Sequence, residues 1–352
     1  MAEPRRVLIS DATSYKAAVL ARFCKRLYPR ASLWTADHRP ASRFLHTRFS
    51  DRHRVLRHGP AQPEEYSREL AALVREAEAD LLIPVTSHEM DALLPRRADF
   101  GKALDYWGDL ETYQRLHRKD ALHQLASELG LRVPRRFASR AEVQLPAVAK
   151  PVAASSARGV VYLREPRDLE RVPTDEPYVF EEFVSGRGAG FACFARAGEI
   201  LVGTTHQRLA ELPASGGSSV YREGLADPRL REIAQRVLAR ARWSGFVMFE
   251  FKLAAGEPVL IEVNPRVWGS IHQGLAAGVN LLEPLFGPAA LPANPDVRTY
   301  FAPPVYLAFV QYLLHGQAGP IVEFLRSVPR NRADVPLLGD PGAYFASLLR
   351  LS

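Results

Sequence analysis

Apolar and polar positions change their period several times along this chain, and each change marks an element. Over roughly the first hundred residues, short apolar runs alternate with helical patterns. Val7–Ser10 reads as a strand, 14–28 as a helix, Ser32–Ala36 as a strand, 64–79 as a helix and Leu81–Val85 as a strand. That βαβ rhythm predicts a small parallel sheet. Residues 118–130 then place Leu122, Leu125, Ala126 and Leu129 on one helical face and end at Gly130, a residue suited to a left-handed cap. Leu131–Phe137 leads into new strands. A mixed α+β segment runs to about 186, and a larger β-rich segment with a helix at 228–242 runs to about 290. Beyond it, apolar helical patterns occupy 305–315, 319–328 and 341–350.

The most informative pattern begins at Gly245. Two strands face each other across an Ala-Ala-Gly-Glu turn at 254–257. Alternation puts Met248, Glu250 and Lys252 on one side of the first strand, and Leu260, Glu262 and Asn264 on one side of the second. The hairpin can therefore gather Glu250, Glu262 and Asn264 on one surface. Three oxygen donors on a rigid hairpin suit Mg²⁺ (or Mn²⁺), a hard cation that completes its octahedron with water and phosphate. Arg266, two residues beyond Asn264, is placed to meet an anion beside the metal. Lys150 ends the apolar strand 146–149, and an ammonium at the end of a buried strand needs a partner.

Composition narrows the function. The chain has 352 residues, 47% hydrophobic and 24% charged, enough for two or three domains of a soluble globular protein. Its net charge of +7 comes from 46 basic residues, of which 40 are arginines scattered without a stripe, so a nucleic-acid partner is not expected. Cys24 and Cys193 lie far apart outside any C-x-x-C spacing and read as small buried hydrophobes. MAEPRRVLIS lacks the apolar core and cleavage site of a signal peptide, and no apolar run reaches membrane-spanning length. The expectation is a cytoplasmic protein with no membrane partner.

Glu-Val-Asn-Pro-Arg at 262–266 resembles the metal signature of the ATP-grasp superfamily, in particular of its carbamoyl-phosphate-synthase-like branch. The likeness runs in order from about Lys119 to Gly278, and more loosely before that. It implies an α/β and α+β architecture, an ATP-grasp fold with an N-terminal Rossmann-like pre-grasp domain. The implied boundaries are 1–117 for that domain and 118–290 for the ATP-grasp domain, divided into a lid at about 138–185 and a larger lobe at about 186–290. Residues 291–352 would form a helical C-terminal extension. The first turn, SDATSYK, lacks G-x-G-x-x-G, which argues against a dinucleotide in the first domain.

The resemblance also implies roles. Lys119 and Lys150 would contact the phosphates of ATP, and a small-residue loop carrying Ser155 and Ser156 would fold over them. Glu181 would accept the adenine amino group, with Glu182, Phe183 and Val184 as backbone contacts. Glu250, Glu262 and Asn264 would hold magnesium, Arg266 would steady a carboxylate, and Arg208 and Arg222, in a polar run before the 228–242 helix, would help hold the acyl phosphate. Glu89 is a candidate from the first domain's strand ends, with helix N-terminal stabilisation as the alternative. Two departures stand out: Ala153, Ala154 and Ala157 replace usual glycines, and no carboxylate follows Gly186 to hold the ribose. The implied activity is an ATP-dependent carboxylate–amine ligase that forms an amide through an acyl phosphate and releases ADP and phosphate. Its partners would be a small carboxylate and an amine, amino acids among the candidates, with a homodimer left open. The alternatives are a kinase or carboxyphosphate-forming enzyme without amide formation, or a non-catalytic nucleotide-binding module.

Overall fold

The computed structural model describes residues 6–153, 158–214 and 216–349. The first sheet is built from β1 (Arg6–Ile9), β2 (Ser32–Asp37), β3 (Arg52–Val55) and β4 (Leu81–Ile83), in the order β3-β2-β1-β4 with every pairing parallel. Its connections carry α1 (Tyr15–Leu27) and α2 (Pro63–Glu76), and α3 (Ser87–Leu93) follows β4. Both β1 and β4 are short apolar runs buried on both faces, as a parallel sheet covered by helices requires. The alternation of Arg and His in β3 reads as a loop by hydropathy. It is nevertheless a strand, at the sheet edge where one face meets solvent.

Two helices, α4 (Leu110–His117) and α5 (Lys119–Glu128), connect this domain to the next. Gly130 closes α5 at φ +60°, a conformation that costs glycine nothing. A second sheet follows, antiparallel, of β5 (Arg136–Phe137), β6 (Ala147–Pro151), β7 (Val161–Leu163) and β8 (Tyr178–Glu182), in the order β5-β8-β6-β7. It has a small apolar core of its own around Ala147, Ala149, Val161 and Leu163.

The third sheet is the largest. It contains β9 (Arg187–Arg196), β10 (Glu199–Leu212), β11 (Ser218–Gly224), β12 (Gly245–Ala254) and β13 (Glu257–Asn264), with α6 (Pro228–Ala241) before β12. After it come α7 (Ile271–Ala276), α8 (Glu283–Phe286), β14 (Arg298–Tyr300), α9 (Pro304–Leu314), α10 (Gly319–Arg326), β15 (Asn331–Ala333) and α11 (Pro341–Leu349). The strand order is β13-β12-β9-β10-β11-β14-β15. Central β9 is buried along its length by Ala189–Ala195, and the Phe194 ring meets Phe246 of β12 edge-on at 5.1 Å. One continuous apolar core joins this sheet to the first domain through Trp107, Trp243 and Trp268. The segment after 291 is thus not purely helical: β14 and β15 extend the large sheet past β11. None of the helices among the described residues is long and apolar enough to cross a membrane.

Candidate active site

The β12–β13 hairpin turns through Ala255 and Gly256, at φ +51° and +82°, the two left-handed residues that a tight hairpin turn demands. The register sets Glu250 opposite Glu262 and Met248 opposite Asn264, so Glu250, Glu262 and Asn264 share one face. Simple alternation fails just beyond them. A bulge at Ile261 pairs Leu260 with Phe251, so Leu260 is buried on the opposite face from Glu262.

A line of hydrogen bonds runs through these residues. Arg208 on β10 donates from Nη2 to Glu250 and from Nη1 to Glu211 Oε1 at 3.1 Å and to the Gly217 carbonyl at 3.0 Å. Asn264 Nδ2 donates to Glu250 Oε1 at 3.3 Å, while Asn264 Oδ1 accepts from Arg266 Nη2 at 2.7 Å. Arg266 in turn donates from Nε to Ser87 Oγ at 2.8 Å, fixing the large sheet to the first domain. Burial works against the Arg208 charge, but Glu250 and Glu211 overcome it and hold its pKa above the ordinary arginine value. Glu262 is half-buried and its side chain makes no hydrogen bond or ion pair among the described residues, so its carboxylate stands open to a cation.

Facing this hairpin, the turns after β1 and β4 complete a cavity of about 260 Å³. Ser14, Lys16, Ser87 and His88 line one wall, and Arg208, Glu250 and Arg266 the other. Tyr15 and Phe301 stack at 3.9 Å between ring centres, closing a side. The lining carries more positive than negative groups, which suits an anionic occupant. Burial, with Arg158 close by, lowers the pKa of His88 and favours a neutral imidazole there. Behind the cavity, His206 packs so tightly on β9 that a Cβ at Gly190 would lie 2.5 Å from its ring, which explains a glycine in mid-strand.

The residues expected at the nucleotide also come together in part. Lys150 Nζ bonds Glu181 Oε2 at 2.7 Å. Lys119 is buried at the start of α5, and its N–H donates to the Val152 carbonyl at 3.0 Å, which ties this helix to the end of β6. The N–H groups of Glu182 and Phe183 are committed to the carbonyls of Arg135 and Pro146, leaving the Val184 N–H as the backbone donor outside that ladder. Ser155 and Ser156 lie outside the described residues.

Two candidates lie elsewhere. Arg222 does not reach the cavity. It is fully buried in β11, donating to Asp334, which also meets His272 Nδ1 at 3.1 Å, and its charge is therefore committed. Nor are Arg208 and Arg222 on a loop, since both belong to a long β10–β11 hairpin. Glu89 is fully buried in the capping box of α3, accepting from Thr86, the Val85 N–H and, at 2.7 Å, the Tyr66 hydroxyl. Burial, reinforced by Asp11, raises its pKa. The helix N-terminal alternative is the one realised. The cavity takes Thr86, Ser87 and His88 from that turn instead. These, with Ser14 and Lys16, went unread in the sequence. The available signal was their place at the C-terminal ends of parallel strands, where open α/β sheets bind ligands.

Comparison with known proteins bears on the fold that carries these residues. The profile of the ATP-grasp domain matches residues 118–270. The chain is 23% identical over 181 aligned residues to the carbamoyl phosphate synthase arginine-specific large chain of Bacillus subtilis, covering 44% of this chain but only 17% of that protein. Biotin carboxylase from Campylobacter jejuni, solved as a β-γ-ATP complex, superposes over 83% of this chain and 72% of its own with a TM-score of 0.65 at 16% identity. The L-amino acid ligase of Bacillus licheniformis does so over 79% and 70%, with a TM-score of 0.58 at 18% identity. Residues 118–270 therefore match an ATP-grasp domain.

Proposed function

We propose that this protein is an ATP-dependent carboxylate–amine ligase, and one observation carries the reading. Glu250, Glu262 and Asn264 share a hairpin face, and of this face Glu250, with Arg266 beside it, lines a cavity whose opposite wall comes from the first domain. The donor set fits magnesium: two carboxylates and an amide oxygen, each retaining lone pairs beyond the hydrogen bonds it accepts. When bound, the cation would neutralise negative charge on the β- and γ-phosphates.

ATP would lie between the second and third sheets. Lys119 and Lys150 would hold its phosphates, Glu181 its amino group, and Val184 N–H its ring nitrogen. A nucleotide as the occupant is supported by a structural neighbour solved as a β-γ-ATP complex. The substrate carboxylate would enter the basic cavity and be oriented by Arg266, itself anchored by Asn264 and Ser87. A carboxylate oxygen attacks the γ-phosphorus, and ADP leaves. A free amine then attacks the acyl carbon, phosphate leaves, and the nitrogen gives up its proton. The protein's part is positioning and charge stabilisation.

The test uses carboxylate labelled with ¹⁸O, ATP and a panel of amines, amino acids included. The expected result is amide product with one label transferred to the released phosphate. Amide formed with unlabelled phosphate would remove the acyl phosphate, and phosphate release indifferent to any amine would favour phosphorylation without amide formation.

A further inference from the structure

A second cavity, of about 350 Å³, opens between α1, α7 and the segment around β15, and shares no lining residue with the catalytic cavity. Its ionisable lining is entirely basic. Arg22 and Arg26 stand one turn apart on α1, Arg332 comes from β15, and His272 from α7. No carboxylate lines it. The rest of the wall is largely apolar, with Phe23, Leu275, Leu291 and Val297.

These arginines differ from others in the molecule. Arg39, Arg208, Arg222 and Arg298 each pair with one or two carboxylates. The side chains of Arg22 and Arg26 make no ion pair or hydrogen bond among the described residues. Each guanidinium instead lies over the Phe23 ring, at 5.4 and 5.9 Å. Arg332 donates from Nη1 only to the carbonyls of Pro329 and Asn331, both at 2.9 Å. Burial lowers the pKa of Arg22, although Asp334 and Asp340 act in the other direction. Three guanidiniums around one concave surface, without a carboxylate in its lining, repel one another and raise the local potential. An anion in the cleft relieves that repulsion, and guanidinium forks match the oxygens of a carboxylate or phosphate. The apolar wall would cover a hydrocarbon body that a bare inorganic ion lacks.

We infer that this cleft binds a small organic anion, a phosphate or carboxylate on a compact apolar body, gripped by Arg22, Arg26 and Arg332. This goes beyond the ligase reading and does not depend on it, because binding is measured without ATP or turnover.

The experiment is calorimetric titration of the full chain with phenyl phosphate, benzoate and inorganic phosphate. Saturable one-to-one binding of phenyl phosphate or benzoate is expected, and the tighter of the two identifies the head group. Arg26→Ala and Arg332→Ala, at exposed positions that should leave the melting temperature in place, should each weaken binding at least about tenfold. Arg266→Ala, in the catalytic cavity, should leave it unchanged. The inference is overturned if none of the three probes binds, if inorganic phosphate binds as tightly as phenyl phosphate, or if Arg266→Ala rather than Arg26→Ala abolishes binding. It is equally overturned if the arginines prove to be a subunit contact, seen as self-association that Arg26→Ala removes without any anion bound.

Discussion

Lys150 Nζ lies 2.7 Å from Glu181 Oε2, a diagonal pair across β6 and β8 with only 11% and 5% of the two side chains exposed. The residues assigned to opposite ends of the nucleotide, its phosphates and its adenine, are in contact with each other. Lys150→Ala should therefore have two effects. Nucleotide affinity should fall by about 1.5–3 kcal/mol through the lost charge-assisted contact. Stability should also fall, by about 3 kcal/mol, because Glu181 is left as an unpaired buried charge. Lys150→Met combined with Glu181→Leu should recover stability without recovering affinity. Titration calorimetry and urea melts check both, and unchanged nucleotide affinity in Lys150→Ala would remove the phosphate role.

Glu262 offers a cleaner substitution, since its carboxylate has no partner among the described residues to lose. Glu262→Gln should keep the urea midpoint and abolish magnesium-dependent ATP turnover. Normal turnover in this variant, across a magnesium titration, would remove the hairpin face as the metal site.

Arg222 and Asp334 are both fully buried and paired. Asp334→Asn should destabilise the protein by about 3–5 kcal/mol, because it strands a guanidinium in the core. Arg222→Met with Asp334→Leu should lose much less. If Arg222→Met folds normally yet loses turnover selectively, Arg222 acts at the cavity after all.

Stability should also fall in mild acid. Burial pushes the His206 imidazole from 6.5 down to about 3, with Arg208 and Arg222 adding to the effect, and burial does the same for His117, also to about 3, with Arg266 adding. The unfolded chain takes up these protons below pH 6.5, whereas the folded chain resists until about pH 3. Their contribution is complete above about 6.5 and is lost as pH falls from there towards 3. Each histidine adds up to about 1.4 kcal/mol per pH unit to the slope. His206→Gln should remove one histidine's share from urea melts compared at pH 7, 6 and 5. An unchanged slope would mean that His206 titrates normally.

Local pattern carried much of this structure. The Ala255-Gly256 turn, the shared face of Glu250 and Glu262, and the Gly130 cap each follow from residues a few positions apart, whose periods and torsional preferences act locally. What was illegible depends on distance or on weak signals. The partner of Arg222 lies 112 residues away, so its neighbourhood read as a polar run near a ligand. Strands β14 and β15 have three residues each, too short for a period, and exist because β11 offers them an open row of peptide groups. The bulge at Ile261 likewise leaves no mark in hydropathy.

The addition of β14 and β15 to the large sheet bears on how this protein can be cut. A fragment ending near residue 290 would contain every candidate for binding nucleotide and metal, yet it would bare the outer edge of β11, an invitation to intermolecular strand pairing, and maroon the Arg222 charge inside. The ATP-grasp segment is thus not a detachable cassette. Shuffled into another protein or expressed by itself, it needs its own C-terminal tail as a selvedge.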